Sequence, residues 1–495
     1  MKQPAQPLRL LMFTSKGCKF CPEIERIVRK FVGSNIGAKV NLTIVDADLS
    51  ADIAESYKVH ILPTVIMGNE PIIAGYMSEE DIRDRLWSKI FQKALTRDNS
   101  YEKHKETIFN VLKNAIDSIT RKRLIRPTIG DYTHLGALQI ANMSLLALDK
   151  MASVILYDAG KMQGTLGLGQ MMISSVNPDI FKKIIIQARF KEVIIGIVKL
   201  FSDTDIFPLY IAEGAEAREI TESTAVIRVF GSAFAVSSPT IGEPLCWSLA
   251  GEISGWVQSI LGKAVKTTEI SCWGLGQNYC EFFIELCENE KAALLTVESS
   301  KGKAELQDRR TTFQHTLLEM AENYQESLFF KKRLRSKYGD FVHISVVQNA
   351  LMSMKLMDPF LGIILYSAGS TFGLSGPGKE IIQNLISEND LEQPIGLKDA
   401  LALIVGELRH PTTLLSREHS FVSFDINENH EKGVITIHEN VYAAGAGNVS
   451  EHFCDFTAGY INGRMQLLMV DEIIVKEIAC HGSGDAYCKF EVTLV

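Results

Sequence analysis

Apolar positions in the first ninety residues switch between two periods. Leu8 to Phe13 is a continuous apolar run of strand type, and Val40 to Val45 is a second that ends in Asp46 and Asp48. Between them Ile24, Ile27, Val28 and Phe31 recur at helical spacing. Another helix leads to Val59-His60-Ile61-Leu62-Pro63-Thr64-Val65, then a short strand from Ile72 to Ala74, then Gly75. A last helix starts at Ser78, with Asp81 three residues on in the capping-box place. This alternation predicts a small α/β unit over residues 1–95.

The pattern then changes and repeats. A charged helix from Tyr101 to Ser118 runs into Arg121-Lys122-Arg123-Leu124-Ile125-Arg126; another from Thr311 to Phe330 runs into Lys331-Lys332-Arg333-Leu334-Arg335. These clusters can meet an acidic partner or membrane surface, but a solvated helix end is the expectation. Gly130-Asp131-Tyr132-Thr133-His134 returns as Gly339-Asp340-Phe341-Val342-His343, and Ile155-Leu156-Tyr157-Asp158-Ala159-Gly160 as Ile364-Leu365-Tyr366-Ser367-Ala368-Gly369, both at an offset of 209. One α+β fold is therefore expected twice, over 101–292 and 339–495, joined by a charged linker helix in 293–338. His134 and His343 are ligand candidates, or histidines satisfied in the core. Ala250-Gly251 and Gly255, with Ala458-Gly459 and Gly463, predict helices packed tightly on a sheet. Gly164 to Gln170 and Gly373 to Glu380 read as turns. The second is near a P-loop, but Glu380 stands where a magnesium-binding Ser or Thr is needed, so no nucleotide is expected.

Each repeat carries the same acid and thiols. Cys246, Glu269, Cys272 and Cys280 are spaced by 23, 3 and 8 positions, and so are Cys454, Glu477, Cys480 and Cys488. Three thiols and a carboxylate suit zinc. The first cysteine of each set opens a helix, and the last two sit on strands Val265 to Cys272 and Tyr279 to Leu286, joined at Gly274-Leu275-Gly276 in the first copy. Residues three apart on a regular strand face opposite sides, so Glu269 joins Cys272 only if the strand bulges or ends there. Inert core thiols are the alternative, since free cysteine is often buried. Cys287 has no counterpart and reads as a strand core residue.

The whole chain narrows the function. Among 495 residues, 46% are hydrophobic and the net charge is −8, which allows ample cores and offers no bulk basic surface for nucleic acid. No run approaches about 18 apolar residues, so no membrane span is expected. Met1 to Gln6 lacks an apolar leader, and nine cysteines without one argue for reduced thiols, metal ligands or redox motifs in a cytoplasmic protein.

Two resemblances sharpen this. Cys18-Lys19-Phe20-Cys21 between strand and helix, followed by Leu62-Pro63-Thr64-Val65, resembles a thioredoxin or glutaredoxin domain. That implies Cys18 as the attacking thiol, Cys21 as the resolving thiol and Pro63 as a cis-proline facing them. Lys19 and Phe20 match neither family closely, and Met12 stands where thioredoxins bury an aspartate. A metal half-site or an idle dithiol are the other readings. The cysteine and glutamate quartets and the helix glycines resemble the 4-vinyl reductase domain, a small-molecule-binding domain similar in fold to TRAPP vesicle-tethering subunits. The resemblance implies two structural zinc ions and a hydrophobic or aromatic ligand. The expected function is a redox-linked small-molecule sensor or ligand-handling protein, possessing a thiol-disulfide oxidoreductase domain served by a disulfide partner or reductase. The alternatives are an interaction scaffold whose tandem domains pair with each other, with an incidental dithiol, and a protein of tetrapyrrole metabolism.

Overall fold

The computed structural model describes residues 8–35, 40–95, 113–114, 117–118, 124–166, 189–202, 209–295, 303–330, 333–357, 361–375, 379–388, 395–410, 421–429 and 431–494. The helix expected from Tyr101 lies almost wholly outside them. So do Arg121 to Arg123 and Lys331-Lys332.

The first unit is a four-stranded sheet in the order β2-β1-β3-β4, built from β1 (Leu8–Thr14), β2 (Val40–Asp46), β3 (Thr64–Met67) and β4 (Glu70–Ala74). β1 runs parallel to β2 and antiparallel to β3, and β3 is antiparallel to β4. The period-two alternation of β1 sets its two faces. Leu10 and Met12 pack with Ile24, Val28 and Phe31 of α1 (Cys21–Asn35) and with Leu86 of α3 (Glu79–Leu95). Leu11 and Phe13 face the other way, with Ala54 of α2 (Ala51–Ser56).

The two repeats have one topology. In the first, β5 (Tyr132–His134) leads into α4 (Gly136–Leu148), α5 (Met151–Leu166) and α6 (Phe190–Ser202). Strands β6 (Gly214–Arg218) and β7 (Thr224–Phe230), helix α7 (Trp247–Leu261), and strands β8 (Val265–Ser271) and β9 (Cys280–Leu286) follow. The sheet order is β6-β7-β9-β8, antiparallel throughout. After α8 (Lys303–Phe330) the second repeat runs β10 (Phe341–His343), α9 (Ile344–Met357), α10 (Leu361–Ser375), α11 (Lys379–Glu388), α12 (Leu397–Arg409), β11 (Phe421–Ile426), β12 (Lys432–His438), α13 (Asp455–Leu468), β13 (Ile473–Ala479) and β14 (Cys488–Leu494). Its order, β11-β12-β14-β13, is the same arrangement. Alternation again decides the faces: Ala225, Ile227, Val229, Val265, Thr267, Cys280, Phe282 and Ile284 are buried, while Arg228 and Glu281, paired across the register, form an ion pair at 2.6 Å on the outer face.

The repeats meet about a pseudo-two-fold axis. β5 and β10 pair antiparallel with Tyr132 opposite His343, Thr133 opposite Val342 and His134 opposite Phe341. The ladder extends symmetrically, with Leu135 N–H donating to Asp340 O at 2.9 Å and Ile344 N–H to Asp131 O at 2.8 Å. Buried loops brace this junction. Asp131 accepts from the backbone of Ile125 and Arg126 and from Ser118, and Asp340 accepts from Leu334, Arg335 and Ser327.

Three expectations need correction. Arg126 and Arg335 are not solvated helix ends; both are buried, each donating to backbone carbonyls of its own loop, because the loop leaves those carbonyls without other donors. Gly164 and Gly373 are not turn glycines but lie inside helices α5 and α10. The glycines of α7 and α13 pack not on the sheet but on those two helices, backbone against backbone. Among the described residues no helix is long and apolar enough to cross a membrane.

Candidate metal centres

The chain path brings both quartets together. Cys246 is the N-cap of α7 and Cys454 that of α13. Each hairpin register shifts one residue before the strand ends, between Glu269 and Ser271 and between Glu477 and Ala479. These bulges push Ile270 and Ile478 outward, 48% and 41% exposed, and turn the glutamate to the cysteine side, which a regular strand forbids. A 3-10 turn (Trp273–Leu275, His481–Ser483) follows Cys272 and Cys480. Only glycine fits inside it: a Cβ on Gly274 would stand 2.3 Å from Glu243 O, and one on Gly482 2.4 Å from Glu451 O.

All eight side chains are buried, and within each set the ligand atoms lie within 4.8 Å of one another. Cys246 Sγ is 3.4 Å from Cys280 Sγ, which is 3.9 Å from Cys272 Sγ. Cys454 Sγ is 3.3 Å from Cys488 Sγ and 4.0 Å from Cys480 Sγ. Thiolates at about 2.3 Å from a tetrahedral zinc stand about 3.8 Å apart, so these spacings bracket the edge of a zinc site. One oxygen of each glutamate accepts a hydrogen bond from the N–H of the first cysteine, at 2.8 Å for Glu269 and 3.0 Å for Glu477. The other, Oε1 in both, is buried without a partner among the described residues. A cation would satisfy it.

Electrostatics agrees. Burial pushes the carboxyls of Glu269 and Glu477 well above their usual range and raises the thiols of Cys246 and Cys454. Cys488 is held down at about 6 by hydrogen bonds from Cys454 and Cys480. Each cluster thus holds protons that a divalent ion would displace. Donors to sulfur are present: Phe453 N–H reaches Cys480 Sγ at 3.3 Å, Gly274 N–H bonds to Cys272, and Ser232 Oγ lies 3.5 Å from Cys246 Sγ. Spacing alone missed one neighbour of the second centre. Lys355, buried on α9, pairs with Asp455 at 2.6 Å beside Cys454; its counterpart in the first repeat is Leu146.

The other sequence candidates are placed apart from these centres. Cys18 and Cys21 are joined by a disulfide, Cys18 half-buried and Cys21 buried as the first residue of α1. Around them Phe20 and Tyr76 are exposed with ring centroids 4.7 Å apart, and Ile61 is exposed. The Leu62-Pro63 bond is cis, Pro63 is buried, and Met12 is fully buried. His134 and His343 are core residues, each accepting a backbone N–H two residues on through Nδ1.

The 4-vinyl reductase domain family matches residues 225–286 and 434–494, spans that contain all eight metal-site residues. The chain carries tandem 4-vinyl reductase domains. Two curated relatives are uncharacterized proteins of Methanocaldococcus jannaschii. MJ1642 is 32% identical over 73 residues, 15% of this chain, and the match spans less than half of its own length, 45%. MJ0150 is 22% identical over 182 residues, 37% of this chain and 92% of MJ0150. Among solved structures, the phenol-responsive sensory domain of the transcription activator PoxR, crystallised with phenol, aligns at 10% identity over 51% of this chain and 100% of its own. The TM-score is 0.17, too low to carry an argument. The two family matches account for the two quartets; the dithiol lies outside them.

Proposed function

We propose that this protein is a redox-linked small-molecule sensor or ligand-handling protein in which two structural zinc ions hold a pair of 4-vinyl reductase domains. The convergence of two identical quartets of three cysteines and a glutamate, at the same places in the same topology, carries the reading. Four protein ligands leave no open position for water, so zinc here folds rather than catalyses. The domains are taken as 101–292 and 339–495, with 293–338 leading into the second, and a hydrophobic small molecule is their expected cargo. Residues 1–95 are taken as a thioredoxin-like domain, with Cys18 attacking and Cys21 resolving. The half-exposure of Cys18, its place ahead of α1, and the exposed apolar surface beside it support that assignment. Two measurements test the whole: elemental analysis with mass spectrometry of co-purifying lipids or aromatics, and insulin-disulfide reduction by wild type against Cys18→Ser. Absence of zinc in chelator-free protein would remove the metal, and equal reduction by the variant would remove the redox role.

The β5–β10 junction favours a second reading, an assembly scaffold whose two repeated domains pair within one chain. A protein that carries no co-purifying small molecule and reduces no disulfide would fit the scaffold instead.

A further inference from the structure

The repeats share a topology but not the filling between their helices. In the second, Phe372 on α10 packs against Phe456 and Tyr460 on α13, with ring centroids 6.3 and 5.7 Å apart. Glu407 on α12 is fully buried, and it accepts from the Tyr460 hydroxyl at 2.6 Å and pairs with the Arg464 guanidinium at 3.0 Å. The buried acid therefore has its own cation, and rings fill the remaining space.

At the repeat offset of 208–209, Phe372, Phe456, Tyr460 and Arg464 correspond to Gln163, Ser248, Glu252 and Trp256. All four are buried. Three rings are thus replaced by shorter polar side chains, and the cation by an indole. The helices do not close up to compensate. A Cβ on Gly160 would stand 2.0 Å from Ser248 O, as one on Gly369 would from Phe456 O; for Gly164 and Gly373 the distances are 2.3 and 2.4 Å. Equal spacing with smaller side chains leaves room in the first repeat where the second has rings. The groups around that room are unsatisfied: Gln163 Oε1 and Ser248 Oγ have no partner among the described residues. Only burial acts on the Glu252 carboxyl, pushing it up to about 8. On α6, the counterpart of α12, the buried positions Val193, Ile194, Ile197 and Phe201 are all apolar. A buried acid without a cation is costly, and several polar groups without partners compound the cost.

We infer that the first of the two repeated domains, and not the second, binds a small organic ammonium ion between α5, α6 and α7, with its charge on Glu252, its apolar part against Trp256, and its remaining donors on Gln163 and Ser248. The ligand supplies the cation that Arg464 supplies in the second repeat, and an indole one helical turn from the acid suits an ammonium group. The inference rests on the reading that these domains bind small molecules.

Calorimetric titration of the full chain with 2-phenylethylamine, and with the neutral 2-phenylethanol, tests it. Binding of the amine is expected to be at least tenfold tighter than that of the alcohol, and to weaken at least tenfold in Glu252→Gln. The double variant Gln163→Phe/Ser248→Phe keeps the acid but fills the space as the second repeat does, and is expected to abolish binding; circular dichroism checks that each variant folds. Equal binding of amine and alcohol, unchanged by Glu252→Gln, would overturn the ammonium assignment and leave small-molecule binding standing. Binding of neither compound at millimolar concentration would overturn both.

Discussion

The sharpest mechanical test of this fold is a single methyl group. In Gly459→Ala the new Cβ would lie 1.8 Å from Tyr366 O, whereas ordinary contact begins at 3.4 Å. The obstacle is backbone on both sides, so no side chain can swing away. Helices α10 and α13 would have to part by about 1.6 Å at a crossing where Gly369, Gly373 and Gly463 are equally close. A gap of about 0.5–1 Å already forfeits a quarter to a half of a contact's attraction. The cost should therefore sit at the upper end of overpacking, about 3 kcal/mol or more, which for a domain of this size lowers the melting temperature by about 6–12 °C. Gly196→Ala is the control. Gly196 lies on the exposed side of α6 with nothing within 4 Å of its Cβ, so the same substitution should stabilise by about 0.5–1 kcal/mol through lost chain entropy. Thermal and urea unfolding followed by circular dichroism at 222 nm reads both. If Gly459→Ala unfolds with the wild type, or the two variants shift in the same direction, the backbone crossing is wrong.

Three further outcomes are expected. Protein prepared without chelator should hold close to two zinc ions, and Cys272→Ser should lose one and destabilise the first repeat selectively, since structural zinc contributes about 10–16 kcal/mol in small zinc domains; a variant retaining both ions refutes the site. Glu252 is raised from 4.5 to about 8, so the folded chain holds its proton between those values; stability from this group is full below about pH 4.5 and falls as pH rises to about 8, by at most about 1.4 kcal/mol per pH unit. Urea midpoints across that range should lose this slope in Glu252→Gln, and an unchanged slope contradicts the burial described. After reduction, limiting iodoacetamide should label half-buried Cys18 before buried Cys21; the reverse order found by peptide mapping would exchange their roles.

Local periodicity and spacing were enough to determine much of this protein. The strand of Leu10 and Met12, the helix of Ile24, Val28 and Phe31, the duplication, and both metal quartets are patterns within short stretches or between two copies of one stretch. Even the bulge at Ile270 followed from the sequence, because a glutamate and a cysteine three apart cannot share one face of a regular strand. What the sequence could not decide depends on partners far along the chain. Gly251 and Gly459 are small because helices nearly a hundred residues away cross them, not because a sheet lies beneath. Arg126 and Arg335 are cations by composition and become buried struts only where a loop presents its carbonyls. Glu252 and Tyr460 occupy one position in two copies, and only the packing around each tells that one acid lacks a cation while its counterpart repeat contains one. Residue type sets what a side chain can do; the neighbours that satisfy or abandon it are a property of the tertiary structure alone.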